Sequence, residues 1–115
     1  MSKFFKITNE SECHHGFQYN EGLNILDGEF AHEGSNVKGG FYFTNVHSIL
    51  EFLSFGVNLR VIEIEKLKVL EDFHMVLDDN KWRASMIIFR DKRALEDPAT
   101  YEYLIGEGLS MAFSC

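Results

Sequence analysis

The pattern of apolar and polar positions along the chain predicts mainly short β-strands separated by polar or glycine-rich turns. Strand-length apolar runs lie at residues 3–8, 16–26, 41–43, 58–65 and 82–90, with weaker candidates at 67–73 and 75–80. Within 58–65 the apolar side chains fall on both faces, which is typical of a central strand covered on both sides or of a β-bulge. The polar residues 27–40 include four glycines, which indicates an ordered loop.

One segment of the chain has the apolar period of an amphipathic helix. Its apolar side chains fall at positions i, i+3, i+4 and i+7, namely Val46, Ile49, Leu50 and Leu53. Thr44 or Asn45 can cap the start of this helix, and Gly56 occupies the place where a left-handed residue would end it. We therefore expect a helix over about 46–55 that packs on the sheet.

A second helix is predicted near the end of the chain, over about 98–107. Asp97 is a suitable N-cap, and Pro98 fits the first helical position, where its missing N–H costs nothing. An apolar stripe follows at Tyr101, Leu104 and Ile105. Many strands and two helices predict an α+β fold with a small, twisted, mixed or antiparallel sheet. A length of 115 residues fits a single domain, 1–115.

Composition narrows the class of protein. Apolar residues make up 45% of the chain, enough for a core that needs neither disulfides nor metal to fold. No run of about 18 apolar residues is present, and the first residues lack the apolar stretch of a signal peptide. We therefore expect an intracellular protein that is not secreted and does not enter a membrane. A net charge of -7 also opposes nucleic-acid binding, since affinity for phosphate backbones comes from clustered Lys and Arg.

Candidate chemistry is sparse in this sequence. Cys13, His14 and His15 are its one cluster of soft metal ligands, but three adjacent residues lack the spacing of a structural zinc site. Cys13 with a distant histidine would be a nucleophile pair, although no local signature supports it. No phosphate-binding glycine motif is present. We therefore expect no metal, no catalytic residue and no cofactor.

A resemblance to a known family is carried by three stretches: GFQYNEGLNIL (16–26), GGFYFTNVHSILEFLSFGVNLRVIEI (39–64) and KWRASMIIFRDKRAL (81–95). Together they resemble an uncharacterised domain of giant DNA viruses of the mimivirus type, which often precedes an array of ankyrin repeats. The resemblance covers residues 3–95. The segment TYEYLIGEG (100–108) is similar to the helix that opens an ankyrin repeat, so residues 97–115 are interpreted as a helix at the place where such an array would begin.

A second resemblance concerns residues 38–53, KGGFYFTNVHSILEFL. This stretch is similar to the strand and helix of ADP-ribosyltransferases of the poly(ADP-ribose) polymerase type. In those enzymes a tyrosine stacks on the nicotinamide ring, a histidine on the first strand holds the ribose, and a later glutamate polarises it. Tyr42 matches the tyrosine and is the one candidate for a cofactor-binding residue. The first strand, Phe4–Ile7, has no histidine, and no later segment is identified as the glutamate strand.

The incomplete catalytic set favours a non-enzymatic viral protein that acts as a protein-interaction or dimerisation module in the host cytoplasm or the virion. The alternative is an ADP-ribosyltransferase-like nucleotide-binding domain, active or inactive, with Tyr42 on the pocket wall. Eleven Phe residues are more than a small core readily hides, so we expect a homodimer with contacts from Asp97–Cys115. A host or viral protein is the other expected partner.

Overall fold

The computed structural model describes residues 3–110, which form nine β-strands, two short 3-10 helices and one α-helix. In chain order the strands are β1 (Phe4–Thr8), β2 (Cys13–His14), β3 (Phe17–Gln18), β4 (Gly22–Ile25), β5 (Phe41–Asn45), β6 (Asn58–Glu63), β7 (Met75–Asp78), β8 (Lys81–Ala84) and β9 (Met86–Ala94). The 3-10 helices are Ile49–Phe55 and Glu65–Leu67, and the α-helix α1 is Pro98–Gly106.

Seven of these strands form one antiparallel sheet, in the order β4-β9-β6-β1-β5-β8-β7. Strands β2 and β3 pair separately. The register of β6 against β9 shifts between Arg60 and Ile62, and its inner residues are buried on both faces. Residues 58–65 were predicted to form a strand that is covered on both faces or that contains a β-bulge, and both features are present. The α+β class is confirmed, with the sheet as its larger part.

Apolar side chains cover the sheet on both faces. One face packs against the 49–55 helix and α1, and its buried residues are Phe5, Ile7, Val46, Ile49, Leu59, Val61, Leu104 and Leu109. The opposite face packs against the segment around Tyr19, and its buried residues are Tyr19, Phe41, Phe43, Ile62, Ile64, Ala84, Ile87 and Phe89. This burial on both faces explains why the sequences of the middle strands are almost continuously apolar.

The first predicted helix is present, but it is a 3-10 helix that begins at Ile49 instead of Val46. A 3-10 helix has about three residues per turn, so Ile49 and Phe52 point to the same side and pack on the sheet. Leu50, which a period of 3.6 places on the buried stripe, is exposed. The predicted caps are wrong, because the N-cap is Ser48 and forms no side-chain cap hydrogen bond. Asn45 stabilises the turn before the helix instead, since its side-chain oxygen accepts from the Ser48 N–H at 3.2 Å.

The prediction that Gly56 is a left-handed helix terminator is wrong. Its φ is 177°, which is extended backbone that any residue adopts. Gly56 is required for a different reason: a Cβ added there would lie 2.1 Å from the carbonyl oxygen of Thr8. The next residue, Val57, donates its N–H to that same oxygen at 2.9 Å. The glycine therefore lets two backbone segments approach closely.

The C-terminal helix begins where the sequence predicts. The Asp97 side chain accepts from the Ala99 N–H at 3.0 Å, and Pro98 is the first helical residue. Leu104 is fully buried against the chain's own sheet, whereas Ile105 is 49% exposed. The apolar stripe is therefore covered in part within the chain. Residues 111–115, the end of the segment 97–115, lie outside the described residues.

The weaker strand prediction at 67–73 is wrong, and the one at 75–80 is confirmed by β7. Residues 64–73 form successive turns instead, in which the N–H groups of Leu67, Leu70 and Phe73 each bond to the carbonyl three residues earlier. Leu67 is buried and Val69 points to solvent. None of the helices within residues 3–110 is long and apolar enough to span a membrane.

Candidate functional site

The sheet opens between the neighbouring strands β1 and β5. All five residues of β1 pair with β6, whereas in the described chain β1 joins β5 only through Phe4–Asn45 and Phe5–Thr44. Beyond these pairs a cavity of ≈ 740 Å³ lies between the two strands. Because Tyr19 from one face and Phe52 from the other both line it, the cavity reaches both sides of the sheet. Its volume is within the range of small-molecule sites.

Aromatic side chains make up much of the cavity wall. They are Phe5, Phe17, Tyr19, Phe41, Tyr42, Phe43, Phe52 and Phe55. The Tyr19 ring stacks on Phe89 with centroids 4.9 Å apart, and Phe17 packs edge-on against it at 5.0 Å. Burial raises the pKa of the Tyr19 hydroxyl. A rigid aromatic wall of this kind suits a flat, apolar ring.

Lys6 extends from β1 into this cavity. Its Nζ donates to the main-chain carbonyl of Tyr42 at 2.6 Å and lies 5.2 Å from the Tyr19 ring centroid. Burial lowers the pKa of Lys6 to about 8, so the side chain still carries its charge at neutral pH. An ammonium group has three N–H donors. The Tyr42 carbonyl is the one acceptor that residues 3–110 give it, which leaves two donors for a ligand.

Tyr42, the residue singled out by sequence, lies on β5 and lines the cavity. Its hydroxyl donates to the Val37 carbonyl at 2.7 Å and accepts from the Val37 N–H at 2.8 Å. The Arg83 guanidinium also donates to this hydroxyl, at 3.2 Å. The hydroxyl therefore holds the loop before β5 in place, and the ring lies on the cavity wall with the Arg83 guanidinium 5.7 Å from its centroid.

Arg83 on β8 is nearly fully buried and fixes the same loop. Its guanidinium donates to three main-chain carbonyl groups within residues 31–34 and to the Asp78 carboxylate at 3.1 Å. Asp78 in turn accepts from the Asn36 N–H and the Ser35 hydroxyl, each at 2.9 Å. These bonds, that of Asn36 first, hold the pKa of Asp78 below its usual range. The ordered loop expected at 27–40 is thus built around one buried ion pair.

The two glycines before β5 serve this arrangement. Gly39 has φ +103°, a conformation that L side chains rarely adopt, and Gly40 lies against the Arg83 side chain. A Cβ on Gly40 would lie 2.1 Å from the Arg83 Cγ. The pair of glycines therefore makes room for Arg83 beneath the loop and lets the chain enter β5.

The Cys13-His14-His15 cluster does not form a metal site with other described residues, since no group of three or more His, Cys, Asp or Glu side chains within 3–110 is placed to hold an ion. His14 accepts from the Asn9 N–H at 3.1 Å. Burial lowers the pKa of His14, and the charges of Lys6 and His15 lower it further. Both histidines line the cavity between β1 and β5.

Sequence reasoning missed the three most informative side chains, Lys6, Arg60 and Arg83. Each is a basic residue in the middle of an apolar strand, which is an unusual position because a buried charge must find a partner. That signal was available in the sequence. The partners were not, since Arg60 meets Glu12, and Arg83 meets residues about fifty positions earlier in the chain.

The chain is similar to several proteins of Acanthamoeba polyphaga mimivirus. "Putative ankyrin repeat protein R868" is 44% identical over 112 residues, which cover 94% of this chain and 55% of the relative. "Uncharacterized protein R869" is 43% identical over 114 residues, which cover 96% of this chain and 81% of the relative. A third relative, "Putative ankyrin repeat protein R896", is 40% identical, and the match covers 32% of its length.

These relatives are all proteins of one virus, and each match covers most of this chain. The chain belongs to this mimivirus family, together with "Uncharacterized protein R869", which confirms the resemblance found in the sequence. The chain spans about half the length of "Putative ankyrin repeat protein R868" and about a third of the length of "Putative ankyrin repeat protein R896". No family model matches the chain, and no solved structure does.

Proposed function

We propose that this domain is a non-enzymatic protein-interaction module that forms a homodimer through the edge strand β4. The observation that carries the proposal is the composition of that edge. Leu23 and Ile25 on β4 are 49% and 55% exposed, and β4 is the last strand of the seven-stranded sheet. The outer N–H and C=O groups of an edge strand are free to pair with another strand.

The surroundings of β4 also support an interface. Leu23 and Ile25 lie opposite Ile88 and Met86 of β9, and these two pack with Leu67 in a small apolar cluster. Within β4 there is no charged residue and no proline, the usual devices that protect an edge. Two copies related by a two-fold axis would extend the sheet and cover both apolar rows at once.

The opposite edge of the sheet, strand β7, is a poorer candidate for the dimer interface. Strand β7 also exposes an apolar residue, Leu77, at 64%, but its last residue, Asp78, is tied to the loop at 35–36. The C-terminal helix, which the sequence favours as an interface, has Leu104 fully buried in its own chain. We therefore assign the main contact to β4, and Ile105 of α1 is a secondary contact in this proposal.

Light scattering across a dilution series tests the homodimer. The expected mass at micromolar concentration is twice the 13.3 kDa of one chain. Replacing Leu23 and Ile25 together with lysine should return the mass to that of a monomer, because like charges would then face each other across the new strand pair. Leu77→Lys on the other edge is the matched control and should leave the dimer intact.

A mass of one chain at all concentrations would count against the homodimer. In that case a host or viral protein becomes the partner to seek at the same edge. The family relatives named for ankyrin repeats carry additional chain beyond the matched part, and a dimerising domain would bring two such chains together. The proposed location is the host cytoplasm or the virion.

A second candidate function is nucleotide binding in the cavity between β1 and β5, in the manner of an ADP-ribosyltransferase. The observation that favours it is the position of Tyr42 on the wall of a cavity of suitable volume. The side chain that β1 sends into the cavity is Lys6, where the transferases have histidine. Asp27 is the one carboxylate among the described lining residues. The candidate is therefore binding without transfer.

The melting temperature with and without NAD tests this second candidate, because a ligand bound only by the folded chain raises it. Tyr42→Ala should abolish the rise, and Tyr42→Phe, which keeps the ring, should preserve it. No rise with the unaltered protein would reject NAD as the ligand.

A further inference from the structure

The basic side chains of this acidic protein occupy two different environments. Eight of the eleven Lys and Arg side chains lie within 4.0 Å of a carboxylate oxygen, and these are Lys3, Arg60, Lys66, Lys68, Arg83, Arg90, Lys92 and Arg93. The other three are Lys6, Lys38 and Lys81, which form no ion pair within the described residues. All three line the cavity between β1 and β5.

The three lysines approach the cavity around Tyr42. Lys6 donates to the Tyr42 carbonyl, and the Nζ of Lys81 lies 5.6 Å from the centroid of the Tyr42 ring. Lys38 follows Val37, whose N–H bonds to the Tyr42 hydroxyl. The three charges therefore enter from β1, from β8 and from the loop before β5, so no single local segment accounts for them.

This concentration of positive charge runs against the composition of the chain. The net charge is -7, so carboxylates outnumber the basic groups and could pair with each of them. Asp27 is nevertheless the one carboxylate that lines the cavity among the described residues. Keeping an unpaired ammonium in a partly buried site costs free energy, and a bound anion would offset that cost.

The geometry points to a binding site for a small aromatic phosphate ester, with the phosphate at Lys6 and the ring against the aromatic wall. This inference rests on the second candidate function above, that the cavity takes a small ligand. It specifies in addition that the phosphate group is the part of the ligand that is recognised, and that Lys6 is the side chain that binds it. The two N–H donors that Lys6 does not spend on Tyr42 would make charge-assisted hydrogen bonds to phosphate oxygens, and Lys38 and Lys81 would supply longer-range attraction.

Titration calorimetry at pH 7 with ADP, pyrophosphate and adenosine tests the inference. ADP combines ring and phosphates, pyrophosphate has the charge alone, and adenosine has the ring alone. ADP should bind most tightly, pyrophosphate detectably, and adenosine far more weakly than ADP. Lys6→Met should weaken ADP binding at least roughly 10- to 100-fold, which is the range for one lost hydrogen bond to a charged group, since two such bonds are lost.

Two further variants complete the test: one is a control outside the cavity, and the other is a second lysine of the cavity. Lys68→Met removes a lysine that pairs with Glu65 outside the cavity, and it should leave ADP affinity unchanged. Lys81→Met removes a positive charge from the cavity and leaves Lys6 in place, so it should weaken ADP binding several-fold. This variant replaces Lys6→Met in the test if Lys6→Met does not fold. Melting of each variant without ligand establishes that it folds.

Two results would overturn the inference. If adenosine binds as tightly as ADP, or if ADP affinity survives both Lys6→Met and Lys81→Met, the site does not recognise phosphate, although the cavity still takes a ligand. If ADP, pyrophosphate and adenosine all fail to bind, both the phosphate site and nucleotide binding in the cavity are rejected.

Discussion

Arg60 and Glu12 form a two-point ion pair that fastens the segment before β2 to the middle of the sheet. The Arg60 Nε donates to one oxygen of Glu12 and Nη2 donates to the other, each at 2.6 Å. Thr8 donates its hydroxyl to the same carboxylate at 2.8 Å. Arg60 is 2% exposed and Glu12 8% exposed. Glu12 also has φ 53°, a left-handed backbone conformation that is uncommon for residues other than glycine.

Glu12→Gln should destabilise the fold by about 3 kcal/mol, because it removes the buried carboxylate of the Arg60 ion pair and leaves only the exposed Glu21 carboxylate, 2.6 Å from Nη2, as a counter-charge. Urea unfolding measures this change. Glu63→Gln, which breaks the exposed pair with Arg90, is the control and should have little effect. An equal loss in both variants would show that burial of the ion pair does not matter.

The same pair predicts a dependence of stability on acidity. Burial raises the pKa of Glu12, but the hydrogen bonds from Arg60 and Thr8 lower it by a larger amount. The pKa of Glu12 is therefore below 4.5 in the folded chain. The stabilisation from Glu12 is therefore fully present above about pH 4.5 and is lost as the pH falls through the folded value. Acid unfolding should be steeper in the unaltered protein than in Glu12→Gln, and parallel curves would contradict this.

Lys6 predicts a second rise of stability with pH, in the alkaline range. Its pKa is about 8 in the folded chain against 10.5 in the unfolded chain, so between these values the unfolded chain binds more protons and stability rises with pH. Relative to Lys6→Met, the unaltered protein should gain roughly 1–2 kcal/mol between pH 8 and pH 10, less than the full shift implies because Lys6 is partly exposed.

The other charged or titratable groups that face Lys6 are retained in Lys6→Met, so they cancel in this comparison. They are Arg60 on the neighbouring strand, together with His14 and Tyr19. Urea unfolding at several pH values gives the difference. A constant difference across this range would show that Lys6 titrates with an ordinary pKa.

Gly56→Ala should cost about 2–3 kcal/mol, since the new Cβ would overlap the Thr8 backbone, which cannot move without disturbing β1. Gly106→Ala on α1 is the matched control. No atom lies within 4 Å of a Cβ built there, so this change should stabilise the helix by about 0.5–1 kcal/mol. Thermal melting distinguishes the two, and a mild effect at Gly56 would mean that the two backbone segments are less tightly packed.

Tyr42→Phe should loosen the loop before β5 without removing the aromatic wall. Both main-chain groups of Val37 lose their partner, at a cost of about 1 kcal/mol. Hydrogen exchange at the Val37 amide should accelerate by roughly 5- to 10-fold, the equivalent of that free energy. Tyr101→Phe loses no hydrogen bond that the described residues form and should leave this exchange rate unchanged.

The strands were largely predictable, because each carries its own signal. Phe41 and Phe43 are buried and Tyr42 is only partly buried, as strict alternation requires. The helix over 49–55 was predicted in place but not in type, since Ile49 fits either period, whereas a period of 3.6 selects Leu50 and a period of 3.0 selects Phe52, which is the one that packs on the sheet. Residues 67–73 have the composition of a strand, yet their N–H groups bond within successive local turns instead of to a neighbouring strand.

By itself the sequence determined the α+β class, the apolar faces of the main strands, the Asp97-Pro98 start of α1 and membership of the viral family. These properties depend on residues close together in the chain. The tertiary structure alone decided the cavity, because it arises where β1 and β5 separate, and the chain gives no local sign of which strands pair. It also decided that Lys6, Lys38 and Lys81 line the same cavity. Long-range pairing brings distant charges together, and spacing along the chain carries no record of it.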